Sequence, residues 1–524
     1  MASAITQDLP SVADFYKGRD VFLTGATGFI GKVFIEKMLR CCPDISTIFV
    51  LVRPRRNKSA QERLKSMFKE KIFEELRKRN VDFESKVQAI EGDMMEHKLG
   101  ISEEDTEKLR NSVSIVFHSA ATVKFDEPMR LAVEMNVLGV RKMIELCKTF
   151  KKLELFLHVS TAYSNCDRQF IEEMVYPTPI EPQQLIDLCS IIDDETLDQI
   201  TPKLIGDKPN TYTYTKQLAE HLLVEEGKDM PLAIVRPSIV GASWKEPFPG
   251  WIDNYNGPSG LYIAAGKGLL RTFKADTEAV ADIVPVDLPV NMMITTAWHT
   301  VLSKPTDVPI YHCTTGGINP YTWGELESIA LKFFWKTPFE KAFRRPTHVI
   351  LRNNSLVHDY WVFISHYVPA HMMDLVIKLT GKRPFMVETY TKLHKTMDVL
   401  NFFTERSWEW TYTNNQTLAL KLSPADAKTF FMDPRSLHWP DYIENHILGT
   451  KLYVMNEEMS GVPAARAHLT KLRNIRYTFN TVLIIALWRI LIARSQIARN
   501  LWQFILALVL KFVRFTRTTS SVRP

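Results

Sequence analysis

The chain has 524 residues, 45% of them hydrophobic and 24% charged, which suits a globular protein of two or three domains with a large core. Its six cysteines show no C-x-x-C or metal-ligand spacing, so nothing points to a disulfide framework or a zinc site, and a reducing intracellular setting fits. The opening MASAITQDLPSVADFYKG lacks the charged and apolar regions of a secretory signal.

The first 240 residues alternate short apolar runs with helical patterns, which predicts a doubly wound parallel α/β sheet of Rossmann type. "DVFLT" (Asp20–Thr24) reads as a strand and the residues from Phe29 to Cys41 as a helix. Between them Gly25, Gly28 and Gly31 follow a G-x-x-G-x-x-G spacing. The first glycine permits a tight turn, the second lets a pyrophosphate approach, and the third allows close helix packing, with free N–H groups at the helix start facing the phosphates. Thr24, Thr27, Phe29 and Ile30 lie in the same turn and are assigned with the glycines to cofactor contact. The second strand, Thr47–Val52, ends in "LVRPRR". An acid there would hold the ribose 2′-hydroxyl of NAD; Arg53, with Arg55 and Arg56 behind it, suits the 2′-phosphate of NADPH.

Further strands are expected at Val87–Asp93, Ser114–Ala120 and Leu153–Ser160, with a long helix from about Glu127 to Phe150. "HVSTAYSN" closes its strand with two hydroxyls, Ser160 and Thr161. From 165 to 210 the alternation stops in an insertion rich in proline and acid. "PNTYTYTKQLAEHLL" then opens a helix with Asn210 or Thr211 as N-cap. Tyr212 and Lys216 stand at i and i+4 and share a face; Tyr214 points elsewhere. An ammonium beside a phenol lowers a pKa that is about 10 in isolation, which makes Tyr212 a proton donor or acceptor.

"PLAIVRPSIVG" (Pro231–Gly241) and "PIYHCTTGG" (Pro309–Gly317) continue the sheet, so the dinucleotide-binding domain is expected over 1–355, with 241–355 on the substrate side. Residues 356–459 read as a second, mainly helical domain. The tail, 460–524, carries eleven of the 65 basic residues and none of the 59 acidic ones, leaving a body of −5 and a tail of +11. Its basic residues bracket aliphatic runs (479–493 and 501–513), which points to membrane and not to nucleic acid. Fifteen helical residues rise only about 22 Å, short of a hydrocarbon core of about 30 Å. The tail therefore spans with snorkelling arginines, forms a hairpin, or lies in the interface.

The strand-end hydroxyl, the tyrosine with a lysine one turn on, and the glycine turn together resemble the extended short-chain dehydrogenase/reductase superfamily. That resemblance assigns Tyr212 as the acid, Lys216 as the residue that lowers its pKa and bonds the nicotinamide ribose, and Thr161, with Ser160 as fallback, as the hydroxyl orienting the carbonyl. It also places Asp93, Ser119, Ala120, Ala121, Pro237 and Ile239 against the cofactor, "HSAATV" matching one of that family's cofactor-contact segments. The insertion, "RPSIVGASWKEPFPGWIDNYNGPSG" and the C-terminal "LRNIRYTFN" and "WRILIARSQIARN" resemble the animal fatty acyl-CoA reductases over nearly the whole chain, the helical region being that family's sterility domain. This implies reduction of a long-chain acyl-CoA by two NADPH to a primary alcohol and free CoA, supplying ether lipids and waxes. It implies a peroxisomal membrane location with the catalytic domain facing the cytosol, the endoplasmic reticulum being the alternative, and no metal. Two rival readings are a membrane-bound sterol or steroid dehydrogenase and a non-catalytic NADPH-binding scaffold.

Overall fold

The computed structural model describes residues 9–520 apart from 56, 80 and 81, with side chains described to residue 512. Strands β1 (Asp20–Thr24), β2 (Thr47–Val52), β3 (Val87–Glu91), β4 (Val113–His118), β5 (Leu155–Val159), β6 (Leu232–Pro237) and β7 (Ile310–Cys313) build the main sheet of the described residues. Their order is β7-β6-β5-β4-β1-β2-β3, and every pairing is parallel. β4 and β5 are buried along their whole length because helices cover both faces of the sheet. On one face pack α1 (Phe29–Cys41) and, flanking β2, α2 (Ala60–Phe68). The other face carries the helix Gly139–Cys147 and α3 (Thr211–Glu226). Back on the first face lies α4 (Asp287–Ser303). The strand order reverses between β1 and β4, which opens the crevice where this architecture binds its ligands.

The insertion is more regular than its composition suggests. It holds two helices, Pro182–Ile191 and Asp194–Ile205. Some of its prolines and acids mark helix starts: Pro182 sits in a first turn, and the Asp193 carboxylate accepts the Thr196 N–H at 3.0 Å. Leu185, Cys189 and Leu197 then reach the second core.

Parts of the helical region expected from residue 356 pack into the sheet half. Leu418 and Phe430 belong to the same core as Val21 and Leu23 of β1, and the short strand Glu409–Trp410 pairs with Phe170–Ile171 of the insertion. Residues 355–379 form a continuous helix, α5, from Ser355–Val362, a π turn at Phe363–Tyr367, and Val368–Leu379. It packs on α6 (Met386–Thr404) through Ala370, Met386 and Tyr390. The tail forms two helices, α7 (Val462–Arg494) and α8 (Gln496–Ser520), broken at Ser495. Trp488 and Trp502, each seven residues from the break, meet with ring centroids 6.0 Å apart, so the pair folds as a hairpin.

Candidate active site

The β1–α1 turn is shaped for a dinucleotide. Gly25 has φ +76°, and a Cβ there would lie 2.8 Å from the Ser119 carbonyl group; a Cβ on Gly31 would lie 2.3 Å from the Gly25 carbonyl oxygen. Neither position takes a larger residue, and α1 starts at Gly28 with no side chain capping its N–H groups, which leaves them to an anion. Thr24 plays a different part from the contact expected of it. Its buried hydroxyl lies 2.8 Å from His118 Nδ1 and accepts the N–H groups of Ser119 (3.2 Å) and Ala120 (3.1 Å). Thr24 thus ties the ends of β1 and β4 together across the crevice, with Ser119, Ala120 and Ala121 half-buried on its wall.

At the end of β2, Arg53 is exposed and 3.5 Å from the Asp93 carboxylate. Arg63, on α2, comes within 3.5 Å of the Thr27 hydroxyl and donates to the Arg53 carbonyl. Burial, and then the neighbouring charges of Arg55 and Arg53, push the Arg63 guanidinium below its ordinary pKa. Several guanidiniums crowd here against one carboxylate beside the phosphate turn, a field that suits an extra phosphate. Arg56 lies outside the described residues.

Asn210 caps α3, its side chain accepting the Thr213 N–H at 2.9 Å. This sets Tyr212 at the carboxyl end of β5, with its phenol beside the Thr161 side chain. Thr161 Oγ1 also accepts the Tyr163 N–H (3.3 Å) and donates to the Pro237 carbonyl (3.4 Å). Ser160 Oγ is buried without a hydrogen-bond partner. Of the two hydroxyls, Thr161 is therefore the one that faces the tyrosine. Tyr214 is fully buried in the second core with its hydroxyl unpartnered.

The expected electrostatics of Tyr212 are reversed. Burial pushes its phenol up to about 12, with only the neighbouring Thr161 side chain opposing the shift. The Lys216 ammonium donates to the Val159 carbonyl at 2.8 Å, and burial pushes it down to about 8 against the attraction of Glu220. Helical spacing brings the two residues to one face, but the buried ammonium satisfies its charge at the end of β5 instead of at the phenol.

Three contributions lie beyond what sequence spacing reveals. Asn136, in a π turn of the helix before Gly139, accepts the Thr122 N–H (3.0 Å) and donates to Thr215 Oγ1 (3.0 Å), binding the "HSAATV" loop to α3. Its one signal is a polar residue inside an apolar helical run. Phe125 stacks on Tyr212 with centroids 5.6 Å apart, and Phe403 at the end of α6 lies 5.4 Å from Phe125. Phe403, Trp408 and Trp410 also surround Tyr163, with Ile239 packed alongside, so the C-terminal region walls the corner that holds Thr161 and Tyr212. Last, Glu220 of α3 and Arg236 of β6 form an ion pair of 2.7 Å with both side chains buried. Arg236 also donates to the Met174 carbonyl (2.8 Å) and approaches His312 Nε2 (3.1 Å). Burial pushes His312 down to about 3, so it is neutral; Nε2 accepts from the arginine, and Nδ1–H donates to the Thr411 carbonyl at 3.0 Å.

A parallel sheet with this turn and this hydroxyl corner defines a nicotinamide-dependent oxidoreductase. An NAD-binding family model described as male sterility protein matches residues 23–293, and a second of the same description, Sterile, matches 365–457. The chain is 52% identical to human fatty acyl-CoA reductase 1 over 98% of its own length and 99% of that protein. It is 46% identical to bovine fatty acyl-CoA reductase 2 over 98% and 99%. It belongs to the fatty acyl-CoA reductase family. Among solved structures, the terminal R domain of the myxalamid biosynthetic pathway superposes with a TM-score of 0.55 at 18% identity, covering 86% of this chain and 95% of that one. A reductase domain of a nonribosomal peptide synthetase from Mycobacterium tuberculosis gives 0.55 at 18%, covering 85% and 93%. These two share the fold.

Proposed function

We propose that the protein reduces long-chain acyl-CoA to the primary alcohol and free CoA, with two NADPH consumed per turnover. The observation that carries this reading is the neighbouring hydroxyl pair, Thr161 and Tyr212, at a strand end beside the dinucleotide turn and under an aromatic wall. A bound reduced nicotinamide supplies hydride at this corner. Thr161 and Tyr212 donate to the thioester oxygen as charge develops on it. The tetrahedral adduct then expels CoA thiolate and leaves an aldehyde. At the second reduction Tyr212, protonated at neutral pH because burial holds its pKa up to about 12, gives its proton to the alkoxide. Lys216, held down to about 8 by burial, is on the family resemblance the residue that would bond the nicotinamide ribose.

The crowding of Arg53, Arg55 and Arg63 supports NADPH over NADH. The tail supports membrane anchoring: the helix Met459–Arg494 has a mean hydropathy of 1.5 over its most apolar stretch, none of it buried. On the family resemblance, the anchor lies in the peroxisomal membrane with the catalytic region facing the cytosol, and the alcohol feeds ether lipids or waxes. The deciding experiment incubates the purified chain with NADPH and a panel of acyl-CoAs of increasing chain length and identifies products by mass. Fatty alcohol with two NADPH oxidised per CoA released is expected. Aldehyde accumulating at a ratio of one would overturn the alcohol assignment, and turnover only on sterols with NAD would overturn the substrate. A fluorescent fusion co-stained for peroxisomes and endoplasmic reticulum, followed by protease protection, tests the location.

A further inference from the structure

Helix α5 is built inside out. Its side toward the body carries His358, His366 and Ala370, while Leu356, Tyr360, Phe363, Met372, Leu375 and Leu379 stand on the opposite side in the open. The contrast is large: His366 is 0% exposed, whereas Leu356 is 83% and Leu379 79% exposed. The buried histidines are well satisfied. The Arg271 N–H donates to His366 Nε2 at 2.9 Å, and His366 Nδ1 lies 3.0 Å from His394 Nε2. The polar interior is therefore a designed contact with α6, and the apolar exterior is the face left over. A helix that meets water puts these two sets of residues the other way round.

We propose that this face of α5 is a second membrane contact, lying in the boundary between headgroups and acyl chains of a phospholipid bilayer. The inference rests on the reading of the tail as a membrane anchor and adds a site that the tail does not contain. Three observations commit the face to lipid. First, at its end Lys378, Lys382 and Arg383 are exposed, placed for lipid phosphates, while Asp374 is turned inward to accept the N–H groups of Phe385, Met386 and Val387. Asp359 is the one exposed acid of the helix. Second, α7 leaves the body alongside: His468 Nε2 bonds the Ala342 carbonyl at 2.8 Å, and the Arg344 guanidinium, lowered mainly by burial, also feels the nearby charge of Arg476. Arg344 in turn donates to the Ser365 carbonyl of α5 at 2.8 Å, so anchor and face share one support. Third, α5 rests on α6, whose far end bears Phe403 beside the catalytic corner. The 19 residues of α6 span about 28 Å, so the face sets the distance from bilayer to hydroxyl pair at roughly one helix length.

The test uses the full chain in vesicles of phosphatidylcholine and phosphatidylserine that contain doxyl-labelled lipid. The six native cysteines are buried or half-buried, so a surface cysteine takes an environment-sensitive fluorophore selectively. Labels go on Leu356→Cys and Leu379→Cys, with Leu487→Cys in the exposed part of α7 and Ile191→Cys on the exposed insertion as references. The expected result is blue-shifted emission and strong quenching at 356, 379 and 487, with neither at 191. Quenching at 487 but not at 356 or 379 would overturn the second contact and leave the anchor standing. A blue shift at 356 and 379 without lipid quenching would mean that a second copy or another protein covers the face, and would equally overturn it. Loss of quenching at 487 as well would remove the anchor reading and this inference with it.

Discussion

The sheet half and the α5–α6 half of this molecule bury opposite things. In the sheet, β4 and β5 are closed on both faces and the polar groups sit at strand ends, where Thr161, Tyr212 and Lys216 gather. In α5 His358 and His366 are inside and the leucines outside. Leaving a large apolar side chain in water forgoes about 1.5–3 kcal/mol relative to burying it, so the second arrangement leaves α5 with an apolar face that the rest of the described chain does not cover. The lesson concerns division of labour. Chemistry is kept where burial follows the aqueous rule and pKa values can be displaced by it, while the C-terminal half contributes aromatic walls and surface. Joining them are the aromatic cluster at Phe403 and the Glu220–Arg236–His312–Thr411 chain.

The strongest way to break that division is to remove the proton donor. Tyr212→Phe should lower kcat by about 10²–10⁴-fold, the range expected for a positioned general acid, with NADPH binding by fluorescence titration nearly unchanged. Wild-type turnover in this variant would move the chemistry away from the sheet half.

Next is the link between the halves. Glu220→Gln leaves Arg236 buried and uncompensated, which should cost about 3–5 kcal/mol, read as a fall in the urea midpoint. It should also alter the site, because Glu220 raises the Lys216 pKa. Without that charge, Lys216 falls further below about 8, and the alkaline limb of kcat moves to lower pH. A loss of stability with an unmoved limb would show the pair to be structural only.

Much of this was readable from sequence where order is local. The strand Asp20–Thr24, the helix Phe29–Cys41 and the strand Thr47–Val52 have the expected bounds, since glycine spacing and apolar runs act within a few residues. The meeting of Tyr212 and Lys216 on one face follows from helical geometry. The sign of the tyrosine's pKa shift did not, because an isolated helix carries no burial term, and burial dominates at this corner. Arg63, Phe403 and Trp408 escaped for another reason: tertiary packing brings them to Thr27 and Tyr163 from distant parts of the chain. The inverted face of α5 looked like ordinary helical patterning, since periodicity shows that a face exists and not which solvent it meets.

A smaller effect is expected at the arginine cluster. Arg53→Ala and Arg63→Ala should each raise the KM for NADPH by roughly tenfold or more, corresponding to a charge-assisted bond of about 1.5–3 kcal/mol, and leave NADH use little changed. Equal losses with both cofactors would mean that the cluster supports the fold of the β2–α2 corner and does not read the 2′-phosphate.

The smallest effect should come from the other tyrosine. Tyr214 lies two residues from Tyr212 and chemically matches it, but α3 turns it into the core, where its hydroxyl is buried without a partner. A buried hydroxyl that makes no hydrogen bond costs about 1–3 kcal/mol of lost hydration. Tyr214→Phe removes that group while leaving the ring in its place among Leu218, Leu222 and the neighbouring core residues. Its kcat should stay within about twofold of wild type, and its thermal midpoint should rise by a few degrees, since 1 kcal/mol shifts Tm by about 2–4 °C in domains of 150–250 residues. A large fall in kcat with an unchanged midpoint would mean that the hydroxyl acts through a bound water on the catalytic corner. The distinction drawn between two tyrosines on one helix turn would then be too sharp.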